Sequence, residues 1–323
     1  MNTGPIEGDP EHVEPTAVSA EAPSPPRVAE TRSAPSMAVF LWRTARRVRA
    51  IFRDPSNPRA GELARDFVRL KLRQRLLRRF PGLERKHESF LGLRVEVFDY
   101  WTFVYLFEEV FVGGDYRFDS KTAEPRILDC GSNIGLSTLY FKQQYPNARI
   151  LGFECDPQTF ELLRRNVRAN GLSDVEVRNE ALFPGKDRVA LYRDPNWLGA
   201  PFMSLDRSLV ARLGSSDGKV VPHSLVPATV LSRHVNEPVD FLKMDIEGAE
   251  VPVLEELGAS GKLPLIGQMV LEFHHHIDPR VDQLGRLLAL FEQNGFGYQL
   301  RAPLEGRFSP GGFQNLLIYA YRR

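Results

Sequence analysis

Short apolar runs rich in β-branched and aromatic residues recur through the last two-thirds of the chain. They fall at Ile127–Cys130, Ile150–Glu154, Val175–Asn179, Phe241–Asp245, Met269–Phe273, Tyr298–Arg301 and Leu316–Tyr321. Between most of them the apolar positions return at helical spacing: Leu136–Gln144, Pro157–Asn170, Ala249–Leu257 and Arg280–Asn294. Strands alternating with helices of this length predict an α/β fold, a doubly wound sheet covered on both faces. The last two runs have only F-S-P-G-G-F-Q, Phe308 to Gln314, between them. That is too short for a crossover helix, so these strands should pair antiparallel. Ala190-Leu191-Tyr192 reads as a small extra strand outside the core sheet. No internal repeat is evident.

The first quarter of the chain has a different pattern. Residues 1–36 are rich in Pro, Glu, Ala and Ser with few large apolar side chains, which predicts a disordered tail. Residues 37–85 form a basic helical segment; 41–80 hold thirteen arginines and lysines against three acids. Leu41, Ala45, Val48 and Phe52 share one helical face among Arg43, Arg46, Arg47, Arg49 and Arg53. Leu63, Phe67 and Leu70 make a second stripe. The second stripe reads as a helical cap on the domain that follows. Residues 38–53 fit peripheral contact with an anionic membrane and a simple solvated helix equally well. Residues 86–323 then form one domain, with its core at 126–276.

Composition narrows the classes further. The chain has 323 residues, 42% of them hydrophobic, enough for a full core. A formal net charge of +1 gives no reason to expect a nucleic-acid partner. The two cysteines, Cys130 and Cys155, end neighbouring strands and read as buried free thiols, which suits a reducing compartment. No apolar run reaches the length of a membrane span, and the N-terminus lacks a charged start followed by an apolar core. The expectation is a cytoplasmic chain.

Candidate chemistry centres on R-I-L-D-C-G-S-N-I-G-L-S, residues 126 to 137. An apolar strand ends in Asp129, and a loop carrying Gly131, Asn133 and Gly135 leads into a helix. This order delivers a nucleotide-like ligand to a helix N-terminus at the carboxyl edge of the sheet. Leu136 stands where a third glycine would complete the dinucleotide fingerprint, so a nicotinamide-dependent oxidoreductase is disfavoured. The loop suits a ligand with one adenosine and no pyrophosphate, such as S-adenosylmethionine. Glu154, 25 residues after Asp129, ends the second strand where it could accept from ribose hydroxyls. Glu180 follows the third strand. Asp156 and Pro157 form an N-cap and first helical residue.

D-C-G-S-N-I-G, G-F-E-C-D-P and D-F-L-K-M-D-I-E-G-A-E (240–250), with a weaker echo in E-E-V-F-V-G-G-D-Y (108–116), resemble the signature blocks of FkbM-family methyltransferases. The resemblance runs from about Arg126 to His276. It implies a class I, Rossmann-like seven-stranded sheet with an antiparallel last strand, S-adenosyl-L-methionine as cofactor, and methylation of a hydroxyl oxygen. Cys130 and the polar insert from Pro195 to Lys219 depart from the pattern, so the acceptor stays open among small molecules, sugars and glycans. A non-catalytic adenosylmethionine-binding or membrane-associated scaffold is the alternative. The cofactor set expected is Asp129, Gly131, Asn133, Gly135, Glu154, Glu180 and Asp245. Asp245 and His274, at the ends of neighbouring strands, are the expected catalytic pair, with His274 taking the proton and Asp245 orienting it or the acceptor. Lys243 shares a strand face with Asp245 and should be ion-paired. No metal is expected, since three adjacent histidines, 274 to 276, alternate faces of a strand. The rival is magnesium on Asp245, Glu247 and Glu272.

Overall fold

The computed structural model of the chain describes residues 36–323 apart from 56, 81, 83–85, 194–202, 214–219 and 303–311. Residues 1–35, much of the polar insert and most of the segment joining the last two strands lie outside the described residues. Helices α1 (Met37–Arg53) and α2 (Ala60–Arg79) lead into a hairpin of β1 (His87–Phe90) and β2 (Leu93–Glu96). Helix α3 (Tyr100–Phe107) runs on into a π-helical turn at Glu108–Gly113. The alternating core follows: β3 (Arg126–Cys130), α4 (Leu136–Gln144), β4 (Arg149–Phe153), α5 (Pro157–Ala169) and β5 (Val175–Arg178). A side sheet comes next, from β6 (Ala181–Leu182), β7 (Arg188–Arg193), β8 (Met203–Ser204) and, past α6 (Arg207–Leu213), β9 (Val221–Thr229). The core resumes with β10 (Val239–Met244), α7 (Glu250–Ala259), β11 (Ile266–His275), α8 (Leu284–Gln293), β12 (Phe296–Arg301) and β13 (Gln314–Arg322).

Seven strands make the main sheet in the order β12-β13-β11-β10-β3-β4-β5, parallel except that β13 runs against both neighbours. This is the class I methyltransferase arrangement. The order reverses between β3 and β10, so a crevice opens beyond their carboxyl ends. The extra strand expected at Ala190–Tyr192 is the middle of β7, outside the main sheet. Helix α5 starts as its sequence dictates: Asp156 accepts from the Thr159 amide at 2.8 Å, and Pro157 fills the first position, where no N–H is needed.

The N-terminal helices differ from each other. Helix α2 buries Leu63, Phe67 and Leu70, each contributing roughly 1.5–3 kcal/mol by leaving water. Rings of Phe90, Phe107, Phe111 and Tyr140, with centroids 5.0–5.6 Å apart, join the hairpin, α3, the π-turn and α4 into one cluster. Helix α1 instead buries Phe40 and Ile51 and leaves Leu41 and Phe52, from the apolar face noted in the sequence, in solvent. The hairpin is tied to α2 through Glu88, which pairs with Arg69 at 3.0 Å and with Arg73.

Beneath the crevice lies the buried ammonium of Lys243 on β10. It donates to the carbonyls of Gly131 and Cys130 and sits 3.5 Å from Asp245 and 3.9 Å from Asp129. Burial alone would lower its pKa, but the two carboxylates hold it above the ordinary lysine value. Lys243→Met should therefore leave Asp129 buried without a counter-charge and cost about 3–5 kcal/mol. A urea unfolding midpoint that falls accordingly, with the slope unchanged, checks this; a midpoint within error of the parent would refute it.

Candidate active site

The loop after β3 is shaped by three left-handed residues, Gly131 (φ 80°), Asn133 (φ 49°) and Gly135 (φ 95°). A Cβ on Gly131 would lie 1.8 Å from the Asp245 carbonyl oxygen, so the loop and the end of β10 touch backbone to backbone. Asn133 tolerates its conformation better than most residues would. Its amide donates to Glu154 Oε2 at 3.0 Å, while Oε1 accepts from the Asp156 amide at 2.8 Å. Burial pushes the Glu154 carboxyl up to about 7, despite these two amides favouring its charged form.

Gly131, Asn133, Glu154, Glu180 and Asp245 line one cleft, together with apolar Leu182, Leu191 and Leu205 from the side sheet and its flank. Two of the expected cofactor residues stand elsewhere. Asp129 is fully buried and accepts from Ser137 at 2.8 Å and Thr138 at 2.6 Å, so it braces the start of α4 rather than facing the cleft. Gly135 sits at the N-cap of α4, where a Cβ would press Leu163 Cδ1 at 2.8 Å.

The catalytic pair is not arranged as the sequence suggested. His274 is buried with both ring nitrogens engaged: Nδ1 is 3.0 Å from Glu250 Oε1, and Nε2 is 3.1 Å from Glu247 Oε2. Burial disfavours its charge, but the two carboxylates outweigh that and hold its pKa well above the ordinary histidine value. With both nitrogens against carboxylates, the ring offers no free nitrogen to an acceptor hydroxyl, which weighs against the expected role of His274 as the base. Its place is structural: it clamps Glu247, a non-glycine residue at φ 53° whose carbonyl also accepts from Ser204. Asp245, Glu247 and His274 bring ligand atoms within 4.8 Å of one another, a set that could hold a metal ion, although both nitrogens of His274 already lie against carboxylates. The three histidines divide as strand alternation requires at His274. His275 and His276, however, stack at 3.7 Å beside Asp282, because His276 turns left-handed (φ 59°) past the strand end.

A second group was not singled out as catalytic from the sequence. Tyr105, on α3, donates its hydroxyl to Glu109 Oε1 at 2.7 Å. Burial, reinforced by the charges of Asp245 and Asp115, pushes the Glu109 carboxyl up to about 7. Burial and the nearby Asp245 charge likewise drive Glu272 well above the carboxylate range, and Asn315 donates to it. Glu109 lies in the π-turn, a conformation often found at functional sites. The only sequence signal was the echo at 108–116. Tyr105 and Glu109 line an open cleft of about 1000 Å³ between α1, α2 and the domain, with Trp101, Arg78 and Gln143.

Residues 129–298 match the model of the methyltransferase FkbM domain. The chain belongs to the FkbM methyltransferase family. Methyltransferase sdnD of Sordaria araneosa is 28% identical over 217 residues, covering 59% of this chain and 81% of that protein. The 31-O-demethyl-FK506 methyltransferase FkbM of Streptomyces tacrolimicus is 26% identical over 219 residues, again 59% and 81%. A solved structure of methyltransferase FkbM from Methylobacillus flagellatus KT is 14% identical, covers 88% of this chain and 60% of its own, and has a TM-score of 0.39. FkbM enzymes depend on S-adenosylmethionine, and the residues of this FkbM-family cleft fit it. Glu154 retains lone pairs for ribose hydroxyls, Leu182 and Leu191 offer apolar contact for a base, and Asp245 faces the glycine loop with charge for a cationic end. Glu180 Oε2 is buried there without a hydrogen bond, with the Arg178 guanidinium 3.9 Å away. Among the described residues no helix is long and apolar enough to cross a membrane.

Cofactor affinity should depend on the charge of Glu154. Because its carboxyl ionises near 7, adenosylhomocysteine should bind more weakly as pH falls through 7, when the protonated acid loses acceptor strength. Glu154→Gln should weaken binding by roughly 1–3 kcal/mol and flatten that pH dependence. Calorimetry across pH 6 to 8 reads both; a Gln variant with the parent's affinity and slope would remove Glu154 from the ribose site.

Proposed function

We propose that this chain transfers the methyl group of S-adenosylmethionine to a hydroxyl oxygen on a small molecule, sugar or glycan. The cofactor supplies a methyl already activated on a sulfonium, so the protein must align the acceptor and remove its proton. The observation that carries the oxygen reading is the Tyr105–Glu109 pair beside Asp245. A carboxyl that ionises near neutrality suits a base working at cellular pH, since enough of it is charged and its proton affinity is still high. Glu109 takes the hydroxyl proton, and Tyr105 holds the carboxylate toward the acceptor. Asp245, paired with Lys243, orients the acceptor from the cofactor side. His274, held between Glu247 and Glu250, keeps Glu247 and the turn after β10 in place.

The volume of the cleft beside Glu109 supports an acceptor of drug or oligosaccharide size. One relative is named for methylating an O-demethylated small molecule, which points the same way.

Methyl transfer from labelled S-adenosylmethionine to a panel of hydroxylated metabolites and glycans tests the reading. Glu109→Gln should lower turnover about 10²–10⁴-fold with adenosylhomocysteine affinity unchanged. At saturating S-adenosylmethionine, turnover of the parent should rise with pH through about 7 as Glu109 ionises, and this limb should vanish in the variant. Activity should survive excess EDTA. Product methylated on nitrogen or carbon would overturn the oxygen assignment, and a Gln variant with normal turnover would overturn the base.

A further inference from the structure

Helix α1 carries two apolar faces and uses one. Phe40 and Ile51 pack inward, with Val48 half-buried beside them. Leu41, Trp42 and Phe52 are 55%, 61% and 61% exposed. Leu41, Ala45 and Phe52 lie four and seven residues apart, on one side of the helix, with half-buried Val48 between the last two and Trp42 at the flank. The helix is well anchored: Ser36 caps its start, and Arg117 pairs with Asp54 at 2.8 Å just beyond its end. A fixed helix that holds an apolar stripe in water needs something to cover it.

The charge of the helix says what. Residues 37–53 contain five arginines and no acid. Arg46 lies over the Trp42 ring at 5.1 Å, and Arg43, Arg49 and Arg53 have no carboxylate partner among the described residues. A second copy of the chain meeting this face about a twofold axis would set arginines against arginines. An anionic lipid surface answers both features, with the stripe entering the acyl boundary and the guanidinium groups at the phosphates.

We propose that α1 docks the protein onto anionic bilayers, with Leu41, Trp42 and Phe52 inserted and the arginines of the helix on the headgroups. This surface is separate from the cofactor cleft and stands whether or not the acceptor is a hydroxyl.

Co-sedimentation of the full chain with vesicles of phosphatidylcholine alone and of phosphatidylcholine with phosphatidylserine tests the proposal. The protein should partition onto the phosphatidylserine vesicles and not onto the neutral ones, and rising salt should weaken the partition. Replacing Leu41, Trp42 and Phe52 together by serine should lower it on the order of 100-fold. All three side chains are exposed, so circular dichroism and adenosylhomocysteine affinity should stay at the parent's values. Absence of binding to anionic vesicles at low salt overturns the proposal, as does binding that the triple substitution leaves unchanged. A dimer that sediments as such and dissociates on the same substitution would mean that a second copy covers the stripe.

Discussion

One buried ammonium organises the centre of this molecule. Lys243 reaches from β10 under the crevice to the carbonyls of the loop after β3, between Asp129 and Asp245. A charge at that depth is tolerable only with partners on every side, and those partners are the parts a cofactor site requires in register. Asp129 in turn holds Ser137 and Thr138 at the start of α4. The strand switch point, the loop and the helix entry are therefore fixed through one network rather than by three independent contacts.

The ring of acids around that network divides by partner. Glu250 and Glu247 are spent on His274, and Asp245 is spent in part on Lys243. Glu154, Glu109 and Glu272 have no cation in direct contact among the described residues, and burial drives each upward. Two of these reach about 7, one in the cofactor cleft and one in the wider cleft beyond Asp245. The two acids that burial moves toward neutrality thus line two different clefts, while Glu250 and Asp245 stand against partners of the braced network.

Much of this was legible in the chain. Alternating apolar runs located the strands and helices of the main sheet, because buried parallel strands read as continuous apolar segments. The spacing from Asp129 to Glu154, and the acid after the third strand, located the cleft-lining positions. What the sequence did not resolve were the partners of charged groups. His274 and Asp245 end adjacent strands, but whether the ring faces Asp245 or the acids of the next turn depends on the left-handed step at Glu247. Asp129 looked like a ligand contact because it ends a strand before a glycine loop, yet two hydroxyls in the first turn of α4 claim its Oδ2. On α1, helical periodicity grouped Leu41, Ala45, Val48 and Phe52; it could not tell that Val48 would pack beside Ile51 while Leu41 and Phe52 stayed in solvent.

The π-turn at Glu108–Gly113 has a consequence for how such chains diverge in length. A widened turn amounts to one residue more than an α-helix needs over the same rise. Deleting a single residue there would return the turn to regular α-helix and leave Tyr105 and Phe111 near their present facing, because the widened turn absorbs the extra residue over the same rise. A one-residue change in length is thus taken up within the turn, and the side chain it re-aims is Glu109, which the turn itself carries.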